Sequence, residues 1–242
     1  MIFSTRFNQP FCVSGKIFIK IQLDLNGDFL NELDEINSFI DDNIDDHISL
    51  FQECVRQKSI SQTGEGIMGM AKLLASLYRE LGCKEVRIDG PWGEEVGEGG
   101  SDGNPVVYGE YDEGKDKTII VYFMYDTMPI FSPEKWSVPP FRGRLVGTED
   151  PFPEVLLGRG ATNTKGPMAA FLAACRSIQA VTGELPINMK FIAEGDEERL
   201  SMGLIKFVNE NKEALERADV LFFPMRSQDR NGLATPLSGS EG

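Results

Sequence analysis

Three short segments of the chain place acidic or polar residues directly after apolar, strand-like runs. They are YFMYDTMP at residues 122–129, GRGATNTKGP at residues 158–167 and EGDEE at residues 194–198. Open α/β sheets bind their ligands at the carboxyl ends of their strands, so the three segments are candidates for one site. Asp196, Glu197 and Glu198 are consecutive, and adjacent carboxylates repel one another unless a cation or a shared proton relieves them. The pattern therefore indicates acid–base or cation chemistry.

Simpler interpretations of these segments remain open at the level of the residues. Charge runs are usually solvated, and the acids of EGDEE could complement the N-terminus of a following helix. The glycine-rich segment could be a tight turn in which Gly166 and Pro167 begin a helix. It is not a phosphate loop, because the G-x-x-x-x-G-K-[ST] spacing is absent.

Hydrophobic periodicity predicts the elements that must position these segments. Apolar residues at every third or fourth position predict one long helix at 33–55 and a second at 67–81, which Gly82 ends. Strand-like runs at 106–110 and 118–123 flank a polar turn, which predicts a hairpin. Residues 129–156 form a long connection. Further elements are predicted at 84–88, 165–182, 187–193, 202–212 and 220–223. This alternation predicts an α/β fold with a mixed, mainly parallel sheet covered by helices.

Composition limits the class of partner and the compartment. The chain has 24 Lys and Arg against 38 Asp and Glu, a net charge of −14, and such a surface repels phosphate backbones and anionic lipid. Nucleic acid and membrane are therefore not expected as partners. Four cysteines without CxxC spacing predict reduced, structural thiols, and the polar interruptions at 1–27 predict neither a signal peptide nor a membrane span, so a cytoplasmic location is expected. The only histidine, His47, is expected on the surface.

The order and spacing of the three segments resemble the M20 metallopeptidase and amidohydrolase family from about residue 33 to the last residue. WSVPPF at 136–141 is similar to the family's W-x-x-x-P-F, GRGA at 158–161 to its turn, and LPINMKFIAEG at 185–195 to the strand before its catalytic acids. The resemblance implies a zinc-peptidase-like catalytic domain that hydrolyses amide bonds in small peptides or N-acyl amino acids. It divides the chain into an N-terminal extension, 1–28, and a partial catalytic domain, 29–242, with the lid domain absent. In the family this lid often mediates dimerisation.

Site roles follow from the resemblance residue by residue. Glu197 falls on the general base, which takes a proton from water and returns it to the leaving amine. Glu198 falls on a metal-binding carboxylate, and Asp126 on the aspartate that orients the first ligand. Three other ligand positions depart from the family. Its first histidine falls on Met124, its metal-bridging aspartate on Asn163, and a further aspartate on or near Met225.

These departures bear on the cofactor that the family implies. The family uses a pair of divalent cations, zinc above all, held about 3.5–4 Å apart. A thioether is a poor ligand for such ions, and an amide lacks the charge with which a carboxylate bridges two of them. Normal two-metal binding is therefore not expected. Lys165 either supplies a counter-charge to the acids or faces solvent at a helix start. The chain is expected to be a hydrolase with an altered metal site. The alternative is a pseudoenzyme, or a truncated homologue, that binds a peptide-like ligand or a partner.

Overall fold

A mixed five-stranded sheet organises the protein, whose computed structural model describes residues 27–148 and 153–224. The order of the strands in the sheet is β1-β4-β8-β5-β9. Two neighbouring pairs, β8 with β5 and β5 with β9, are parallel, and the other two are antiparallel. The five strands are β1 (Glu85–Asp89), β4 (Val106–Tyr111), β5 (Thr118–Met124), β8 (Asn188–Glu194) and β9 (Val220–Phe222). Two short hairpins accompany them: β2 (Glu95–Val96) with β3 (Gly99–Gly100), and β6 (Arg144–Gly147) with β7 (Glu154–Leu157).

The central strand, β8, corrects the expectation of a hairpin between β4 and β5. All seven of its residues are buried, and it lies between those two strands, which do not pair with each other. Asn188 explains why. Its Oδ1 accepts the N–H groups of Glu113 and Lys115, and its Nδ2 donates to the Lys115 carbonyl. The turn that follows β4 is therefore satisfied by the start of β8.

Helices cover both faces of the sheet because side chains alternate along each strand. Val121 and Phe123 of β5 pack in the larger core against three helices, whereas Ile120 packs on the opposite face with Phe207. The helices are α1 (Gly27–Asp42), α2 (Ile44–Arg56), α3 (Ile67–Glu80), α4 (Gly166–Thr182), α5 (Met202–Glu210) and α6 (Lys212–Leu215). The larger core contains residues of α2, α3 and α4, and α5 contributes Phe207 to the smaller one.

The predicted helix at 33–55 is two helices, and its histidine is not fully exposed. Asn43 separates α1 from α2, and its side-chain amide donates to the Phe39 carbonyl at 2.7 Å, a local bond that competes with continuation of the helix. His47 is half-buried, with its Nε2 3.3 Å from the Ser177 hydroxyl of α4. It therefore contributes to the α2–α4 interface.

The remaining expectations about organisation fall partly outside the described residues. The long connection at 129–156 contains β6, the beginning of β7 and a short 3-10 turn, so it is not structureless. Cys54, Cys83 and Cys175 are free thiols. Cys12 lies outside the described residues, as do residues 1–26 of the predicted N-terminal extension. Of the described helices, none combines the length and apolar character that crossing a membrane requires.

Candidate active site

The candidate site begins at the ends of two adjacent parallel strands. In the register of β5 with β8, Met124 lies opposite Glu194, the last residue of each strand. The chain after β5 continues to Asp126, and the chain after β8 continues to Glu197 and Glu198. Because parallel strands end at the same edge of a sheet, the two acidic segments leave the sheet side by side.

Asp126 joins these two segments. Its side chain is 3% exposed, and its two carboxylate oxygens accept separate backbone bonds. Oδ1 accepts the N–H of Glu197 and Oδ2 accepts the N–H of Glu198, each at 3.1 Å. The carboxylate therefore fixes the backbone on which both glutamates stand, which gives Asp126 the geometry of a positioning group.

The glycine-rich segment packs over the same edge. The Thr164 hydroxyl donates to the Met124 carbonyl at the end of β5. Gly160 has a φ of +84°, and a Cβ at this position would lie 2.8 Å from Thr127 Cγ2 and 3.2 Å from Lys165 Cδ. Glycine therefore permits both the left-handed backbone and the close approach of this segment to the chain after β5. The Arg159 N–H donates to the Pro140 carbonyl at 2.7 Å, which ties the segment to WSVPPF.

A cleft of about 230 Å³ opens where the segments meet. Among the predicted site residues, Glu198 and Asn163 line it, whereas Asp126 does not and binds the backbone N–H groups of Glu197 and Glu198. Met124 is buried at the end of β5, Glu197 is half-buried, and Met225 lies outside the described residues. The other lining residues are Thr127, Met128, Trp136, Gly158, Arg159, Gly160 and Thr162.

Arg159 and Trp136 are site residues to which the sequence patterns assigned no role. The Arg159 guanidinium lies over the Trp136 ring, 5.4 Å from its centroid, and its positive charge partly opposes the rise in the pKa of Glu198 that burial causes. Its Nε is buried without a hydrogen-bond partner among the described residues. The signal was available, because Trp136 and Arg159 both belong to motifs that carry the family resemblance. Arg159 gives the cleft a cation beside its acid.

Burial raises the pKa of Asp126, Glu194 and Glu198. The pKa of Asp126 rises to about 7 because desolvation outweighs the backbone bonds that favour its charged form. Desolvation also raises the pKa of Glu194 to about 7, against the hydrogen bonds that Tyr122 and Ser201 donate to it. The pKa of Glu198 rises through burial and through repulsion by Glu197.

Asp196, the first acid of the run, is a structural residue. It is fully buried, and its Oδ2 accepts the N–H groups of Asn104 at 3.1 Å and Gly203 at 3.0 Å. Arg199 lies 3.5 Å from its Oδ1 and donates to the carbonyls of Gly100 and Ser101. These bonds join the loop after β3 to the start of α5.

The donor set does not fit a pair of divalent cations. Within 27–148 and 153–224, no group of three or more His, Cys, Asp or Glu side chains is arranged to hold a metal ion. Met124 offers a buried thioether and Asn163 a neutral amide, while both oxygens of Asp126 are taken by backbone N–H groups. Lys165 adds a fully buried amine, and burial lowers its pKa to about 7, although the negative charge of Asp126 opposes this shift.

Comparison by sequence relates the chain to peptidases. The model of Peptidase family M20/M25/M40 matches residues 120–229. A Cys-Gly metallodipeptidase of Candida albicans is 30% identical over 145 residues, which are 59% of this chain and 29% of that protein. A Beta-Ala-His dipeptidase of Homo sapiens is 29% identical over 189 residues, 75% of this chain and 36% of that protein. The chain thus spans about a third of the length of these relatives.

Comparison by structure leads to the same group of proteins. The chain is similar to an M20 family metallo-carboxypeptidase from Sulfolobus solfataricus, with a TM-score of 0.64 and 28% identity over 77% of this chain and 38% of that one. It is also similar to human carnosine dipeptidase 1, with a TM-score of 0.65 and 25% identity over 79% of this chain and 40% of that one. The mixed sheet with flanking helices is the fold that these structures share with the chain.

Proposed function

Because the chain belongs to the M20 family of metallopeptidases, we propose that it hydrolyses amide bonds in small peptides or N-acyl amino acids, in a cleft whose metal site is altered. The observation that carries this proposal is the attachment of Asp126 to Glu197 and Glu198. Its two bonds of 3.1 Å hold the acidic turn at the carboxyl edge of the sheet, beside the cleft that Glu198 lines. A general base needs such a fixed backbone, because proton transfer requires hydrogen-bond reach.

The roles in this proposal are confined to residues of the chain. Glu197 is the general base that removes a proton from the attacking water and later delivers it to the leaving amine. Arg159, the cation that lines the cleft with Glu198, stabilises the negative charge that develops on the carbonyl oxygen. Asp126 is a positioning residue. No step is assigned to zinc or another metal, because Met124, Asn163 and the buried ammonium of Lys165 do not suit one.

Several features of the whole protein stand as part of the same proposal. Residues 29–242 are the N-terminal part of the catalytic domain, and residues 1–28 are an extension of it. The protein is cytoplasmic and acts on a peptide-like small molecule, and its net charge of −14 argues against nucleic acid and anionic membrane as partners. A lid domain in a longer form of the protein would mediate dimerisation.

A second candidate function is a pseudoenzyme that binds a peptide-like ligand without cleaving it. The substitutions at Met124 and Asn163 favour this alternative, because they remove an imidazole and a carboxylate from the family's ligand set. The cleft itself, with Arg159 stacked on Trp136, would persist in such a protein. Both candidates predict ligand binding, and only the first predicts cleavage.

Hydrolysis of a panel of dipeptides and N-acyl amino acids by the purified chain separates the two functions. We expect cleavage, and we expect Glu197→Gln to lower its rate by at least about 100-fold, since general base catalysis contributes this much. Glu95→Gln on β2 is the matched control and should leave the rate unchanged. Ligand binding by calorimetry without cleavage would favour the pseudoenzyme. Loss of activity in Glu198→Gln but not in Glu197→Gln would contradict the assignment of the base.

A further inference from the structure

Lys165 is a charged residue that the proposed hydrolysis does not use. It follows Asn163 and Thr164 and directly precedes α4, and its side chain is 0% exposed. Its ammonium donates to the Gln57 carbonyl, the C-cap of α2, at 2.5 Å. A lysine is almost never fully buried unless negative charge or hydrogen-bond acceptors compensate it.

The position of Lys165 makes its charge unusually unfavourable in isolation. Burial disfavours the ammonium, and its backbone lies at the N-terminus of α4, the positive end of the helix dipole. Two groups offset these effects. The Gln57 carbonyl lies at the negative end of α2, and the carboxylate of Asp126 attracts the ammonium through space. The Gln57 carbonyl is therefore the direct partner of the ammonium, and Asp126 acts on it through space.

The stem of Lys165 also lies close to Gly160, a residue that lines the cleft. Its aliphatic stem and Thr127, the residue after Asp126, both lie within contact distance of a Cβ at Gly160. Gly160 lines the cleft together with Asn163 and Glu198. The stem of Lys165 and the chain segment that carries Asp126 therefore both adjoin Gly160.

We propose that the ammonium of Lys165 is a built-in counter-cation that takes the place of a divalent metal ion beside Asp126. In this arrangement the Lys165 side chain supplies the positive charge that a metal ion would otherwise bring to the acids of the cleft. The buried ammonium also repels a divalent cation that enters the cleft, so it opposes metal binding even where ligands are restored. This inference goes beyond the proposed hydrolysis and does not depend on it.

A purely structural role for Lys165 makes a different prediction. If the lysine served only to bond the Gln57 carbonyl at the end of α2, its replacement would change stability and leave metal affinity unaltered. Lys165→Gln removes the charge but keeps an amide that can donate a hydrogen bond. Lys165→Arg keeps the charge in a larger group. The affinity for zinc ion therefore distinguishes the charge from the hydrogen bond.

The experiment is calorimetric titration of zinc chloride into the full chain. Lys165→Gln, Lys165→Met and Lys165→Arg are each made in the parent and in a protein that carries Met124→His and Asn163→Asp. Lys72→Met, on the exposed face of α3, matches the change in net charge. We expect Lys165→Gln and Lys165→Met to tighten zinc binding in the ligand-restored protein by at least about tenfold, since a unit charge acts strongly across a buried site. Lys165→Arg and Lys72→Met should leave it unchanged.

Two results would overturn the inference. Equal zinc affinity of the lysine and glutamine forms in both backgrounds would show that the ammonium does not act on a cation in the cleft. Tightly bound stoichiometric metal in the purified parent would show that Lys165 does not replace one. If Lys165→Met fails to fold, as circular dichroism would report, the more conservative Lys165→Gln decides the test. Hydrolysis of the peptide panel is measured separately and has no bearing on either result.

Discussion

At the scale of single residues, the site separates acids that hold the structure from acids that face a ligand. Asp126 and Asp196 each accept two backbone N–H groups, which engage both oxygens of Asp126 and the Oδ2 of Asp196. Glu198 lines the cleft, with Arg159 as the nearby cation. Sequence spacing identified Asp196, Glu197 and Glu198 as one group of acids, and it could not distinguish their roles. Their separate roles depend on contacts with Asn104 and Asp126, which are distant in sequence, and on the position of Gly203 at the start of α5.

Restoring the family's ligands tests whether positions 124 and 163 correspond to metal-ligand positions. Met124→His with Asn163→Asp adds an imidazole and a bridging carboxylate. We expect zinc affinity to rise by at least tenfold, about 1.4 kcal/mol, because a direct ligand contributes more than the surrounding groups whose loss weakens metal binding. Calorimetry on the parent and the double variant measures it, with Met124→Leu plus Asn163→Ser as the control. Equal affinity would mean that residues 124 and 163 do not face the same cavity as Glu198.

The buried carboxyl of Glu194 should make stability depend on pH. Burial raises its pKa from 4.5 to about 7, so between these values the folded chain binds more protons than the unfolded chain. The stabilisation is therefore complete below pH 4.5 and is lost as pH rises through 7. We expect the parent to lose about 1–3 kcal/mol more than Glu194→Gln between pH 5 and pH 8. Urea unfolding at both pH values measures it, and the exposed Glu213→Gln serves as control. Parallel losses in parent and Glu194→Gln would contradict the assignment.

At the scale of elements, local patterns predicted where helices and strands lie and missed how distant segments meet. The second helix was predicted at 67–81 and spans Ile67–Glu80, because apolar periodicity and the end at Gly82 are local signals. The prediction of a hairpin after β4 was wrong, because the side chain of Asn188, more than 70 residues away in sequence, binds the turn that follows β4. The break at Asn43 was missed, because its side-chain bond to Phe39 competes with an otherwise unbroken periodicity.

The attachment of the loop at 99–104 to α5 depends on Asp196. Asp196→Ala would leave the N–H groups of Asn104 and Gly203 buried without an acceptor. We expect a loss of about 2–4 kcal/mol in the free energy of unfolding, and a smaller loss for Asp196→Asn, which keeps one acceptor oxygen. Urea denaturation measures both, and Asp102→Ala, which removes an exposed ion pair with Lys206, should change stability by less than about 1 kcal/mol. A loss no larger than that of Asp102→Ala would show that Asp196 does not hold this loop.

At the scale of the whole molecule, strand β9 exposes three consecutive apolar side chains. Val220 is 55% exposed and Leu221 60%, and within the described residues β9 pairs only with β5. An open strand edge with exposed apolar side chains favours pairing with another chain. The matched relatives are about three times as long as the aligned part of this chain.

Self-association of the 242-residue chain follows from this surface. We expect oligomers in sedimentation velocity and binding of a hydrophobic dye, and Leu221→Lys should lower the dye signal by about half or more, since a charge on an edge strand opposes pairing. Ile44→Lys replaces a 48% exposed apolar residue on α2 and serves as the control, because it adds the same charge away from β9. If β9 is the contact, only the lysine on β9 shifts the chain toward monomer. A monodisperse parent that unfolds cooperatively without binding dye would contradict this prediction, because the exposed side chains of β9 would then be tolerated in a stable monomer.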